Sequence, residues 1–285
     1  MKAPGPGFEP EARARQGIIN YSEVREEFVE YITQRVTPDT ARRYLHYLDT
    51  YVGEKKINTP EDITAIFKGV EKGRNWLAKS IRNLLNFYVE AKSMDESVAN
   101  KFKKACKIER SGVRAIFISD DEVREAYTHT VASRRKEVQI FFELLVYSGI
   151  RASHAAEMLK NYDENQLIKI PEKGIARYPI VEFSRGNKRG FFAYLPLAFA
   201  EELERIKKLD YKYLVEAIRY NRVSANSIRK WHYNKLIESG IDTSIADFIQ
   251  GRAPQSVGAM HYLASARQAD QAYSKAVEAI KRVIE

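Results

Sequence analysis

The sequence has few features that could cross-link or anchor a fold. Its single cysteine, Cys106, cannot form an intrachain disulfide, and no cysteine and histidine residues have the spacing of a zinc site. No apolar run reaches the length of about 18 residues that a membrane span needs, and the N-terminus lacks the pattern of a secretory signal. These absences predict a soluble, cytoplasmic protein that uses no metal and no cofactor.

Apolar residues are numerous enough for a sizeable core. Of 285 residues, 44% are hydrophobic and 30% are charged, which excludes a chain that is disordered throughout, and the length favours two domains. Lysine and arginine outnumber aspartate and glutamate by 47 to 38, a net charge of +9. This excess favours a polyanionic partner, nucleic acid first, although an ordinary basic protein has the same balance.

Helical periodicity and chain breaks predict the domain organisation. Residues 1–17 hold three prolines and three glycines with almost no apolar period, which predicts a flexible leader. Residues 18–110 show five helical segments with capping residues at their starts, which predicts an all-helical domain. A Ser-Gly break marks residues 111–117 as a basic linker before a second domain at 118–285.

The second domain mixes helices with short β-rich runs. Residues 166–170, 178–183 and 191–195 are separated by turn residues and predict a small antiparallel sheet. Helical periods precede this region and resume near Leu197, ending with segments at 254–263 and 266–284. The predicted fold class is therefore mainly α with a small antiparallel β-sheet.

Positive charge is concentrated near the end of the first domain. Residues 68–115 contain twelve lysines and arginines against five acidic residues. Such a stretch can contact a phosphate backbone, and a solvated helix face is the alternative. The candidate DNA-binding residues are Lys79, Arg82, Lys101, Lys103, Lys104, Lys107, Arg110 and Arg114, with Arg185 and Arg189 in the second domain.

Two arginines are placed at helix junctions. Arg151 follows a buried apolar helix that ends at Gly149, and Arg229 lies 78 residues later at the start of another helix. Two such arginines can hold a phosphate through forked hydrogen bonds and can neutralise the charge of a pentacovalent phosphorane. Neither arginine is specific by itself.

The order of the surrounding motifs resembles the tyrosine recombinase (integrase) family. LLVYSGIRASHAAEML resembles the first arginine motif of that family, and SIRKWHYNKLIESGIDTSIADFIQGRAPQSVGAMHYL resembles the second block with the nucleophile at its end. The spacing of 33 residues between the second arginine and that tyrosine is similar to archaeal viral and plasmid integrases. The resemblance implies a helical core-binding domain followed by a mixed α/β catalytic domain with a C-terminal helix.

The resemblance assigns the family's catalytic roles to particular residues of this sequence. The resemblance implies Tyr262 as the nucleophile, Arg151 and Arg229 as phosphate-binding arginines, and Arg252 as an addition to them. SRGNKRGFF resembles the β-hairpin that carries the catalytic lysine, here Lys188, although Lys173, Arg185 or Arg189 could take that place. Asn226 stands where the family usually has histidine or lysine, and His154 stands where it usually has an acidic residue. Lys230, His232 and His261 are minor candidates for moving the tyrosine proton, while His154 and His232 are expected to pack or cap.

The implied activity is cleavage and rejoining of double-stranded DNA through a 3′-phosphotyrosyl intermediate, without metal or ATP. GPGFEP resembles the translation of the 3′ end of a tRNA gene, which implies integration or excision of a mobile element at such a gene. A homotetramer on two duplexes is implied, with a monomer or dimer when free. A type IB topoisomerase and an inert DNA-binding regulator are the alternatives, and Asn226 favours the second.

The last helical segment carries an apolar stripe. Tyr273, Val277, Ile280 and Ile284 fall on one face of it. We expect this face to dock on a neighbouring protomer.

Overall fold

The computed structural model of the chain describes residues 18–109, 112, 116–183, 190–252 and 259–285, with side chains in the last range from residue 264. The chain forms two compact units, Met1–Val113 and Arg114–Glu285. The boundary between them falls inside the residues predicted to form the linker.

The first unit consists of helices and one very short strand pair. Its helices are α1 (Tyr21–Thr33), α2 (Pro38–Tyr51), α3 (Pro60–Lys68), α4 (Arg74–Ala91) and α5 (Glu96–Ala105). Strand β1 (Ile19–Asn20) pairs antiparallel with β2 (Lys56–Ile57). Prolines at the first positions of α2 and α3, and a capping box between Thr59 and Asp62, begin these helices where the sequence predicted.

One buried core holds this unit together. Phe28, Leu48, Leu84 and Leu85 are fully enclosed in it. Tyr88 on α4 donates its hydroxyl to the carbonyl of Asn20 and accepts from the Asn20 amide, both at 2.9 Å. This buried tyrosine therefore satisfies the backbone of β1, a strand that the sequence did not predict because two residues carry no detectable period.

The second unit consists of a three-stranded sheet and the helices around it. Its helices are α6 (Asp120–Ser133), α7 (Lys136–Ser148), α8 (Ala152–Asn161), α9 (Leu197–Glu201), α10 (Tyr211–Ala217), α11 (Ala225–Glu238), α12 (Thr243–Ile249) and α13 (Ala259–Lys281). Strands β3 (Ile168–Ile170), β4 (Ile175–Pro179) and β5 (Phe192–Pro196) pair antiparallel in that order. The predicted fold class, mainly α with a small antiparallel sheet, is confirmed. No helix in the described part of the chain is long and apolar enough to cross a membrane.

Two predicted boundaries in this unit differ from the structure. The strand predicted at 178–183 is β4, which ends at Pro179 and is followed by a short 3₁₀ turn at Val181–Phe183. The helices predicted at 254–263 and 266–284 are one continuous helix from Ala259 onward. No glycine or proline lies between residues 263 and 266, so nothing in the sequence ends the helix there.

Helix α13 packs on its own unit. Tyr273, Val277, Ile280 and Ile284 are buried in the same core as α7 and the sheet. The expectation that this face docks on a neighbouring protomer is therefore wrong. Amphipathicity shows that a helix face is buried but does not show which surface covers it.

Candidate active site

Gly149 lies in the tight turn between α7 and α8, next to the candidate active site. It ends α7 with φ of +58°, and a Cβ there would lie 2.5 Å from Cγ of the His232 ring and 2.7 Å from Gln250 Nε2. Only glycine combines this left-handed conformation with so close an approach. The chain then reverses so that Arg151 stands at the N-cap of α8.

Two arginines from different helices meet at this junction. Arg229 on α11 is 9% exposed. Its guanidinium donates to the carbonyl oxygens of Gly149 at 2.7 Å and Gln250 at 2.6 Å. Arg151 donates to the carbonyl of the next residue, Gly251, at 3.1 Å. The backbone that follows α12 therefore holds both guanidinium groups beside the end of α7.

Arg252 adds a third positive charge at the edge. Its exposed guanidinium lies 4.7 Å from the ring centroid of Tyr233, a cation–π contact from α11. We call Arg151, Arg229 and Arg252 the arginine cluster.

The electrostatics of the cluster favour an anion. Burial, followed by the charges of Arg151 and Arg252, lowers the pKa of Arg229 to about 9. Burial and then Arg252 also lower the pKa of Arg151. Among the described residues, Arg229 forms no ion pair with a carboxylate. Because desolvation and mutual repulsion disfavour the charged forms, an anion bound between these groups would relieve both.

A buried hydrogen-bond network lies next to the arginine cluster and holds its surroundings in place. Gln250 donates through Nε2 to the carbonyl of Arg229 at 2.8 Å and to His232 Nδ1 at 3.0 Å. His232 in turn donates through Nε2 to the carbonyl of Tyr147 at 3.0 Å. Tyr273 of α13 donates its hydroxyl to the same carbonyl at 2.8 Å. This network joins α7, α11, α12 and α13 around the arginines.

His232 is a structural residue in this network. It is fully buried, and burial lowers its pKa to about 3. The ring therefore stays neutral at ordinary pH with both nitrogens engaged, which fits the expectation that it packs and opposes a role in moving protons. His154 is likewise buried on α8.

Asn226 lies one helical turn before Arg229 on the same side of α11. It is exposed, whereas Arg229 is buried. At a separation of three residues the two side chains are neighbours on the helix surface. Lys230, a minor candidate for moving a proton, is half-buried on the same helix.

Several predicted site residues lie outside the described part of the chain. They are Lys188, Arg110, Arg114, Arg185 and Arg189. Residues 261 and 262 lie within α13, but the side chains of His261 and Tyr262 are outside the described part. Lys173, an alternative for the lysine position, lies in the turn between β3 and β4, where its Nζ is 3.7 Å from Glu172 Oε1.

The described candidates for DNA contact lie on α4, α5 and the residues after α5. Lys79, Lys101, Lys104 and Lys107 are exposed. Arg82 and Lys103 are half-buried, and Arg82 donates to the Lys103 carbonyl at 3.2 Å, which ties α4 to α5. Arg82 therefore has a structural contact in addition to its charge.

Sequence reasoning missed an aromatic partner on this surface. The Trp76 ring forms cation–π contacts with the exposed Arg43 guanidinium, 5.0 Å from the ring centroid, and with Lys79 Nζ at 5.4 Å. It also missed Gln250 and Tyr233, which position the arginine cluster. The sequence places Trp76 one helical turn before Lys79, and this spacing was a usable signal for their contact. The roles of Gln250 and Tyr233 depend on contacts between distant segments.

The chain is similar to a known protein family and to two solved structures. A sequence model of the archaeal phage integrase family matches residues 115–279. Among solved structures, XerA recombinase is similar at 15% identity, with 91% of this chain and 95% of that chain covered and a TM-score of 0.37. The integrase from mycobacterium phage Brujita is similar at 13% identity, with 93% and 98% covered and a TM-score of 0.40. No curated protein matches the sequence.

Proposed function

Since the chain belongs to the archaeal phage integrase family, within the tyrosine recombinases, we propose that it is a site-specific DNA recombinase that cleaves and rejoins DNA through a 3′-phosphotyrosyl intermediate. It acts in the cytoplasm on the chromosome and integrates or excises a mobile element there.

The convergence of Arg151 and Arg229 carries this proposal. The guanidinium groups of Arg229 and Arg151 donate to the backbone carbonyls of two consecutive residues, Gln250 and Gly251, which directly follow the end of α12. Burial and the repulsion between neighbouring arginines lower the pKa of both guanidinium groups, and a bound anion would offset that repulsion. A scissile phosphate is the anion that suits forked guanidinium donors, and its charge grows in the transition state, where preorganised donors act most strongly.

Tyr262 is the proposed nucleophile. Residue 262 precedes Tyr273 by eleven residues in α13, which is about three helical turns, so both positions share one face of the helix. In the proposed step the phenol oxygen forms a bond to phosphorus while the bond from phosphorus to the 5′-oxygen breaks. The departing 5′-oxygen takes a proton from Lys188, and the phenol loses its own proton. Attack by a 5′-hydroxyl reverses the step, so no external energy source is needed.

Asn226 narrows the choice of proton acceptor. An amide can donate a hydrogen bond to a phosphate oxygen, but it does not take up a proton at neutral pH. His232 is buried and neutral, with a pKa near 3. Lys230, His261 and solvent remain as routes for the phenol proton, and the charge of the arginine cluster would lower the pKa of a nearby phenol.

The first unit is proposed to grip the DNA backbone. Exposed lysines on α4 and after α5 supply charge, and the Trp76 ring holds Arg43 and Lys79 in place. Phosphate contacts of this kind position a protein on DNA without specifying sequence. The working assembly is a homotetramer on two duplexes, formed from free monomers or dimers, and the target is a tRNA gene.

Supercoiled plasmid carrying the DNA that encodes residues 1–17 tests the proposal, in buffer with EDTA and without ATP. Covalent adduct plus exchanged products supports recombination. Relaxation without exchange supports a type IB topoisomerase, and a mobility shift without adduct supports an inert regulator. The Tyr262→Phe variant is the matched control, because it differs by one hydroxyl and should bind DNA without forming an adduct.

A further inference from the structure

A cleft bordered by several lysines and arginines lies at the other end of α7. It has a volume of about 500 Å³, and its wall includes Arg135, Lys208 and Tyr213. Arg135 is the N-cap of α7, and the other two residues lie just before and within α10. We call it the distal basic cleft.

Exposed cations surround this cleft without carboxylate partners. Arg134, Lys136, Lys207 and Lys212 directly precede or follow wall residues in the sequence and are exposed. Within the described part of the chain, neither they nor Lys208 form an ion pair, in contrast to Arg135, which lies 3.8 Å from Glu137. Like charges held close together without counter-ions favour a bound polyanion.

The two acidic residues of the cleft, Glu137 and Asp210, already have partners within the protein. Glu137 is the partner of Arg135. Asp210 accepts hydrogen bonds from the backbone amides of Lys212 at 2.9 Å and Tyr213 at 3.2 Å, as the N-cap of α10. Two carboxylates offset only part of the charge of the six cations on and next to the wall, which are Arg134, Arg135, Lys136, Lys207, Lys208 and Lys212.

The position of the cleft separates it from the arginine cluster. Helix α7 has 13 residues, so its two ends are about 20 Å apart at 1.5 Å per residue. Gly149 and the arginine cluster lie at one end, and Arg135 lies at the other. A phosphate held by the arginine cluster cannot reach the distal basic cleft.

We propose that the distal basic cleft binds a second stretch of DNA backbone, without reading its sequence. The inference rests on the proposed function, which supplies the DNA. Cations on two separate chain segments suit a rigid line of phosphates, which carries one charge per about 1.7 Å of duplex. Tyr211 and Tyr213 are 46% and 41% exposed, and their hydroxyls can donate to phosphate oxygens.

Equilibrium binding of labelled DNA to the full chain tests the proposal. Lys208→Glu is compared with Lys275→Glu, which makes the same charge change at an exposed, unpaired lysine on α13, within the described residues of the same unit. The probe is a 60-base-pair duplex of arbitrary sequence, titrated across a range of salt. We expect Lys208→Glu to weaken binding about tenfold and to lower the salt slope by about one, with a smaller effect of Lys275→Glu.

Equal effects of the two variants, or an unchanged salt slope for Lys208→Glu, would overturn the proposal. A 20-base-pair duplex locates the DNA. An effect confined to the longer probe means that the cleft holds the flank of one duplex, and an effect on both means that it holds a second duplex; both results support the proposal. Tyr213→Phe gives an independent check, because only the hydroxyl is lost.

Polyglutamate serves as the competing polyanion. If it binds through Lys208 as tightly as DNA does, the cleft is a general acidic-peptide site and the proposal fails. Covalent adduct formation is measured in parallel. Absence of adduct with retained Lys208-dependent binding refutes the proposed function alone, whereas adduct with Lys208→Glu binding like the control refutes the cleft alone.

Discussion

Arg177 and Asp270 form an ion pair that ties strand β4 to helix α13. The Arg177 guanidinium donates to both carboxylate oxygens at 2.6 and 2.8 Å, and the two side chains are only 15% and 11% exposed. The guanidinium also lies 4.9 Å from the centroid of the Phe192 ring on β5. Because residue 262 lies eight residues before Asp270, this pair fixes the helix that carries the proposed nucleophile.

Removing one member of this pair should destabilise the second unit strongly. Burial raises the pKa of Asp270 even though Arg177 opposes the shift, so the pair contributes little net stability. Asp270→Asn nevertheless leaves a buried guanidinium without its counter-ion, and we expect a loss of about 3–5 kcal/mol in urea unfolding. The double variant Arg177→Met with Asp270→Leu should lose less than the single one. A single variant within 1 kcal/mol of wild type, roughly the value of an exposed pair, would contradict this.

Substitution of Gly149 should be far more costly than substitution of another left-handed glycine. Gly149→Ala places a Cβ against the His232 ring in addition to the strain of a φ of +58°. We expect a loss of about 2–4 kcal/mol in the free energy of unfolding. Gly174→Ala is the control, because φ there is +63° and a Cβ would meet nothing within 4 Å. Similar losses at the two sites would show that the contact with His232 is unimportant.

The buried His232 predicts a specific pH dependence of stability. Its pKa is lowered from 6.5 to about 3 in the folded chain, so the unfolded chain binds a proton that the folded chain does not. Stability therefore falls as the pH decreases from about 6.5 toward 3, and this residue contributes about 1.4 kcal/mol per pH unit. His232→Gln should lower the slope by that amount, whatever its effect on stability at neutral pH. An identical slope in the variant means that His232 is protonated when folded.

The sequence predicted the features that depend on local interactions. The helix starts at Pro38 and Pro60 and the stop at Gly149 were predicted, because caps, prolines and glycines act over a few residues. The family was confirmed, since ordered motifs around Arg151 and Arg229 carry more information than any one residue. The contacts of Gln250 with Arg229 and His232, and the packing of α13 on its own unit, were not predicted. Those contacts join distant segments and depend on tertiary structure.

Inorganic phosphate should stabilise the protein through the arginine cluster. Binding to the folded state alone raises its stability by about 1.4 kcal/mol at ten times the dissociation constant, which corresponds to a rise in Tm of roughly 3–6 °C. Arg151→Ala should abolish this rise, whereas Lys275→Ala should retain it. Sodium chloride at equal ionic strength is the comparison condition. A phosphate effect that survives in Arg151→Ala would place the anion elsewhere.

The most direct test of the account is the covalent link between the protein and DNA. A nicked duplex carrying the DNA that encodes residues 1–17 is incubated with the protein, and the adduct is isolated under denaturing conditions and mapped by mass spectrometry. We expect a nucleotide esterified to Tyr262 in the wild type, much less adduct in Arg229→Ala, and none in Tyr262→Phe. An adduct of normal yield in Tyr262→Phe, or one mapped to another residue of the wild type, would contradict it.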